Sequence, residues 1–150
     1  MESLVKRWVL YIEPVAQGRP RACNIGGHIR VYTPAKTRHF REALSLLLNC
    51  DRPARLAEAA VKLTVRVYRA IPRSKPKKIK KAMLEGKILP TTKPDLDNYI
   101  KAIKDSMKGV AWLDDSQVVQ YGMGTGKYYG QTPRIEITVE ELPEGLPDLF

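Results

Sequence analysis

The 150-residue chain predicts one mixed α/β (α+β) domain, a mixed β-sheet with flanking helices, and three stretches carry that expectation. Val61, Leu63, Val65 and Val67 alternate with Lys62, Thr64, Arg66 and Tyr68, the period of a half-buried strand. Leu96, Tyr99, Ile100, Ile103 and Met107 recur at helical spacing, and Gly109 closes the run. Arg134 to Glu140 alternates again, with Ile135, Ile137 and Val139 on the apolar side. The order of these elements implies an antiparallel component in the sheet. A chain of this length buries roughly 68–70% of its unfolded surface and needs no disulfide or metal staple. The expected organisation is a single domain over residues 1–141, with a proline-containing tail over 142–150.

Taken in chain order, Trp8 to Ile12 is a β-prone run that ends at Glu13-Pro14, a first strand. A basic, irregular segment follows, with Arg19 and Arg21. Gly26-Gly27 signals a turn, and the alternation in Ile29 to Tyr32 makes a hairpin arm. Thr33-Pro34 has the form of a helix start, with Thr as N-cap and Pro at the first helical position. Phe40, Ala43, Leu44, Leu47 and Leu48 then form one apolar stripe, and the helix should end between Asn49 and Pro53. After the alternating strand at 61–68 comes a basic segment punctuated by Pro72 and Pro76. Within it Ile79, Ala82 and Met83 suggest a short amphipathic helix ending before Gly86. Beyond the second long helix, Val110 to Leu113 is an apolar run broken by Asp114-Asp115. Val118-Val119 leads to Tyr121, and Gly122, Gly124, Gly126 and Gly130 around Lys127 read as a hairpin-like link.

Composition narrows the class of function. Hydrophobic residues at 43% and charged residues at 28% are those of an ordinary globular protein. No apolar run approaches the ~18 residues of a membrane span, and the first residues lack a signal-peptide core, so a cytoplasmic protein is expected. Cys23 and Cys50, 27 positions apart, form neither a disulfide framework nor a CxxC pair. With His28 and His39 they lack the spacing of a zinc finger. The net charge is +10. Residues 133–150 hold one basic and five acidic side chains, so the other 132 residues carry 25 basic against 11 acidic. Such an excess calls for a polyanionic partner, nucleic acid ahead of an anionic membrane surface. Residues 66–87 concentrate it: Arg66, Arg69, Arg73, Lys75, Lys77, Lys78, Lys80, Lys81 and Lys87 face only Glu85. A run that repels itself this strongly is read as a phosphate-contacting surface rather than a solvated face.

Within this basic body, four acids sit at the two ends of one predicted helix. Asp95 is at its N-cap and Asp97 in its first turn, while Asp114 and Asp115 follow the apolar run beyond its end. Taken singly each has a local explanation: acids at a helix start satisfy free N–H groups and the dipole, and Asp-Asp-Ser is ordinary turn chemistry. Taken together on a polyanion-binding surface they have a specific use. Hard divalent cations are held by a few carboxylates plus substrate phosphate oxygens, and such ions stabilise the attacking and leaving oxygens of phosphodiester cleavage. Lys101, four residues after Asp97, is placed either to pair with that acid or to stabilise charge on a phosphate.

The joint pattern Lys93-Pro94-Asp95-Leu96-Asp97-Asn98, then Lys101, then Trp112-Leu113-Asp114-Asp115-Ser116-Gln117-Val118 resembles the signature of the RusA-type Holliday-junction resolvases. The resemblance is dense over residues 93–121 and extends loosely to Gly18-Arg19-Pro20-Arg21 and Val31-Tyr32-Thr33-Pro34. It implies a homodimeric, Mg²⁺-dependent endodeoxyribonuclease, with Mn²⁺ able to substitute, acting on four-way DNA junctions. It further implies that Asp95, Asp97 and Asp115 are metal-binding catalytic acids, that Lys101 is the essential lysine, and that Asp114 and Asn98 support them. Charge, not resemblance, nominates Arg19, Arg21, Arg69, Arg73, Lys75, Lys77, Lys78, Lys80, Lys81 and Lys127 as DNA-contacting residues.

Other readings compete with this one. A non-catalytic junction- or duplex-binding protein would use the same basic surface, with acids that only cap and turn. Asp95-Leu96-Asp97 as a nucleotide-sugar site has no nucleotide-binding fingerprint beside it, and the glycines at 122–130 lack the order of a P-loop, so no nucleotide cofactor is expected.

Overall fold

A computed structural model describes residues 3–15, 21–32 and 35–145. A mixed sheet organises them. Its strands are β1 (Val5–Leu10), β4 (Val61–Ala70), β5 (Val118–Tyr121), β6 (Gly126–Gly130) and β7 (Arg134–Glu141), in the order β1-β7-β4-β5, with β6 also pairing β4. A separate hairpin joins β2 (Arg21–Ile25) to β3 (His28–Tyr32) through Gly26 and Gly27, both at positive φ. Two consecutive left-handed residues are what a tight hairpin turn of this twist requires. The helices are α1 (Ala35–Cys50), α2 (Lys77–Leu84) and α3 (Leu96–Met107). Thr33, Pro34 and Arg19 lie outside the described residues, as does the junction of β3 with α1. Among the described residues, no helix is long and apolar enough to cross a membrane.

Strand β4 is the spine. It pairs antiparallel with β7 along one side, Val61 opposite Glu141 through Tyr68 opposite Arg134. On the other side it pairs parallel with β5 and then with β6. Val61, Leu63, Val65 and Val67 are all fully buried, as are Ile135, Ile137 and Val139 across the ladder. That face meets Leu44 and Leu48 of α1, Ala102, Ile103 and Met107 of α3, and Trp8 and Trp112. Each of the buried Val, Leu, Ile and Met side chains stabilises the fold by roughly 1.5–3 kcal/mol. The sheet's opposite face is half-exposed and polar, with Tyr68 stacked on Tyr128 and the Arg134 guanidinium 3.7 Å from the Tyr68 ring centre.

Two expectations are corrected in detail. The first strand runs Val5–Leu10 rather than to Ile12, because the Ile12 N–H turns back to the Leu10 carbonyl at 3.0 Å, level with the start of β7. The glycine-rich segment at 122–130 is no hairpin-like link. It is a bend followed by a strand, β6, that continues β5 in parallel along β4. Gly122 makes this bend possible: a Cβ there would fall on the Thr64 hydroxyl, so the backbone can lie directly against β4. The Tyr128 hydroxyl donates to the Gly124 carbonyl and secures the far side of the bend. Gly122→Ala is therefore expected to cost about 1–3 kcal/mol, from overpacking against the Thr64 side chain, as a lowered midpoint in urea unfolding.

Candidate active site

Helix α3 places the first two acids. Asp95 stands at the N-cap with extended φ and ψ of −70° and 151°, the conformation from which a capping side chain folds back. It makes no such bond. Neither the Asp95 nor the Asp97 carboxylate has a hydrogen bond or ion pair among the described residues, and both residues are exposed. The local explanation of these two carboxylates, helix capping, is not realised at Asp95. The i, i+4 ion pair between Asp97 and Lys101 is likewise not formed.

The third acid comes from the far end of the same helix. Beyond α3, Gly109 takes positive φ and its N–H donates to the Trp112 carbonyl at 2.7 Å, folding Val110 to Trp112 back into the core. The buried Trp112 indole N–H donates to Asp115 Oδ1 at 2.8 Å, which orients that carboxylate. Gln117 fixes the turn. Its Oε1 accepts from the Leu113 and Asp114 N–H groups at 2.9 and 3.0 Å, and its amide donates to the Ala57 and Ala59 carbonyls at 2.8 and 3.1 Å. Sequence reasoning quoted Gln117 without a role. Two of its four partners, the Ala57 and Ala59 carbonyls, lie 60 and 58 residues away, so spacing carries no sign of them.

Asp97, Lys101 and Asp115 line one groove of about 800 Å³ between α3 and the β5 edge. Leu96 and Ile100 give it apolar walls, and Lys104, Asp105, Tyr121, Gly122 and Thr125 complete it. Lys101 has no bonding partner among the described residues, so its ammonium is available to the groove. Asp105, which the sequence pattern does not single out, follows Asp97 and Lys101 at successive four-residue steps on the same face of α3. Asp95 lies at the head of α3, outside the residues that line the groove. Asp114 turns elsewhere: it accepts from the Ser116 hydroxyl at 2.8 Å and stands 3.9 Å from Lys108. The Ser116 hydrogen bond, aided by Lys108 and local N–H groups, holds its carboxyl below the ordinary range.

The donor set bears on a bound cation. Among the described residues no three acidic, His or Cys side chains are gathered around one metal-sized position. A hard cation such as Mg²⁺ takes one or two protein carboxylates and completes its shell with water and phosphate oxygens. Asp97 and Asp115, facing one groove in a strongly basic chain, meet that smaller demand.

The nominated basic residues divide. From the end of β4 the chain runs through Arg73, Lys75, Lys77, Lys78 and Lys81, all exposed, and Lys80, half-buried, before returning to α3. Lys81 lies 3.9 Å from Glu85, itself paired with Lys87 at 2.9 Å. Arg69 and Lys127 are engaged by the protein itself, at the backbone carbonyls of Thr92 and Pro94. Arg21 opens β2, opposite Tyr32.

A family model described as "Endodeoxyribonuclease RusA" matches residues 12–140. The chain is also 38% identical over 138 residues to "Uncharacterized protein YqaN" of Bacillus subtilis (strain 168), covering 91% of this chain and 96% of that one. The match takes in the acid-bearing helix, the turn that carries Asp115 and the basic segment between β4 and α3, and the chain belongs to the RusA endodeoxyribonuclease family.

Proposed function

We propose that the protein is a Mg²⁺-dependent, structure-selective endodeoxyribonuclease that resolves four-way DNA junctions by paired phosphodiester hydrolysis, acting as a homodimer with one acidic site per protomer. The observation that carries this reading is the groove: two unneutralised carboxylates share it with a lysine that has no partner among the described residues, in a chain of net charge +10. Asp97 and Asp115 would hold the cation, with Asp95 beside them at the head of α3. A bound Mg²⁺, or Mn²⁺ in its place, supplies electrostatic stabilisation of the scissile phosphate and of the attacking and leaving oxygens. The chain's own residues do the rest. Trp112 orients Asp115 through the indole hydrogen bond, and Lys101 places a positive charge where the phosphate gathers negative charge during cleavage. The exposed cations Arg73, Lys75, Lys77 and Lys78, with Lys80 and Lys81 of α2, would track the DNA backbone beside that site. Arg19 and Arg21 remain candidates for the same work.

The test is cleavage of a synthetic four-way junction against linear duplex, in Mg²⁺ and in EDTA. Paired nicks confined to the junction and abolished by EDTA are expected. Lys101→Met should lose about 10²-fold or more in rate at unchanged junction affinity, since its charge matters most in the transition state. Junction binding with no nicking in either Mg²⁺ or Mn²⁺ would instead leave a non-catalytic DNA-binding protein.

A further inference from the structure

We propose that Lys127 and Arg69 are positioning residues that clamp the backbone leading into Asp95 and α3, and through it set how well the acids hold a divalent cation; this rests on the reading of those acids as metal-binding. Strands β4 and β6 run parallel, with Val67 opposite Lys127 and Arg69 opposite Tyr129. On β4 the positions 61, 63, 65 and 67 are buried against the helices. Arg69 is next on that face, past the last core residue. Lys127, level with Val67 on the neighbouring strand, leaves from the same side.

Both side chains reach one short segment. Lys127 Nζ donates to the Thr92 and Pro94 carbonyls, each at 3.0 Å. Arg69 donates to the Thr92 carbonyl and hydroxyl, each at 3.2 Å. Residues 91–94 belong to no helix or strand, and among the described residues every hydrogen bond they make comes from these two cations. The Pro94 carbonyl is half of the peptide group whose nitrogen belongs to Asp95, so Lys127 holds the plane from which the Asp95 side chain departs. Lys127, nominated from charge as a DNA contact, thus spends its ammonium on the protein's own backbone.

The experiment separates the two roles. Lys127→Met keeps the aliphatic stem and removes the donors. Mn²⁺ binding to the free protein is measured by titration calorimetry, and junction binding in EDTA is measured across a salt series. Positioning predicts a Mn²⁺ dissociation constant raised about 10-fold or more, the usual consequence of removing an outer support of a metal site. It also predicts an unchanged junction affinity and salt slope, and recovery of most Mn²⁺ binding in Lys127→Arg, which restores a charged donor. A loss of about one unit of salt slope with intact Mn²⁺ binding would make Lys127 a phosphate contact and overturn the proposal. Should circular dichroism show Lys127→Met unfolded, Arg69→Met decides, and unchanged Mn²⁺ affinity there overturns it equally. Wild-type protein that binds no Mn²⁺ would sink the reading of the acids and the clamp together. Wild-type protein that binds Mn²⁺ no better than Lys127→Met would sink the clamp alone.

Discussion

Asp97→Asn is expected to reduce metal-dependent junction cleavage by about 10³-fold or more while leaving the fold and junction binding in place. The substitution keeps shape and hydrogen-bonding capacity but removes a negative charge. An oxygen donor without that charge binds a hard cation poorly, and the several kcal/mol of transition-state stabilisation that the cation supplies corresponds to a rate loss of this order. Stability should hardly move, because Asp97 is exposed and without a partner among the described residues. It stands in the first turn of α3, where the helix dipole favours an acid by only about 0.3–1 kcal/mol. Junction affinity in EDTA should hold or rise, since the change subtracts a negative charge from a phosphate-binding surface. Single-turnover cleavage with a thermal melt of the same preparation checks all three. Full metal-dependent activity in a folded variant would remove Asp97 from the site, and the proposed mechanism with it.

The largest effect on stability is expected far from the groove. Glu141 ends β7 with only 8% of its surface exposed. It accepts two bonds from Arg55, at 3.1 and 2.6 Å, and further bonds from the N–H groups of Leu4, Glu58 and Ala59, at 3.2, 2.7 and 3.3 Å. One carboxylate thus ties the start of β1, the approach to β4 and the end of β7. Glu141→Ala leaves a guanidinium and three N–H groups without that acceptor, and should cost about 3 kcal/mol, the lower bound for a broken buried pair because Arg55 can partly rehydrate. In a chain of this size that lowers Tm by roughly 6–12 °C. The Arg55 bonds, reinforced by the three N–H groups and opposed by burial, hold the Glu141 carboxyl far below its ordinary 4.5. A carboxyl with its folded pKa depressed stabilises the protein above the unfolded value and loses that contribution as pH falls toward the folded one. Wild type should therefore lose stability progressively below about pH 4.5, and the gap to Glu141→Ala should narrow over the same range. A gap independent of pH in urea melts between pH 7 and 3 would show that the charge is not what matters at this position.

Periodicity made the core legible in advance. The alternation at 61–67 and 135–139, and the stripes beginning at Phe40 and Leu96, sit on the buried side of β4, β7, α1 and α3, because one-sided burial imposes those periods directly on the residues; the exception is Ala43, which the α1 stripe included and which is exposed. The acids at both ends of α3 were legible as candidates on a different ground: four carboxylates at the two ends of one predicted helix stand out in so basic a chain. The segment after Tyr121 was not legible, since glycines announce a bend but not the pairing of the strand beyond it. The parallel pairing of β6 with β4 depends on Thr64 and Tyr128 meeting the bend from a distance in the chain.

What the sequence by itself determined is the fold class, the faces turned inward, the family signature, and the concentration of positive charge between β4 and α3. Tertiary structure alone decided which acids share a space. It turns Asp97 and Asp115 into one groove and gives Asp114 to Ser116 and Lys108; it leaves Asp95 uncapped and commits Arg69 and Lys127 to the loop before α3. The physical reason is range. Hydrophobic period and helix position are local properties that neighbouring residues impose on one another. Whether a charged side chain meets solvent, substrate or the protein's own carbonyls depends on segments brought together only when the sheet closes, as Lys127 meets Pro94 from 33 residues away.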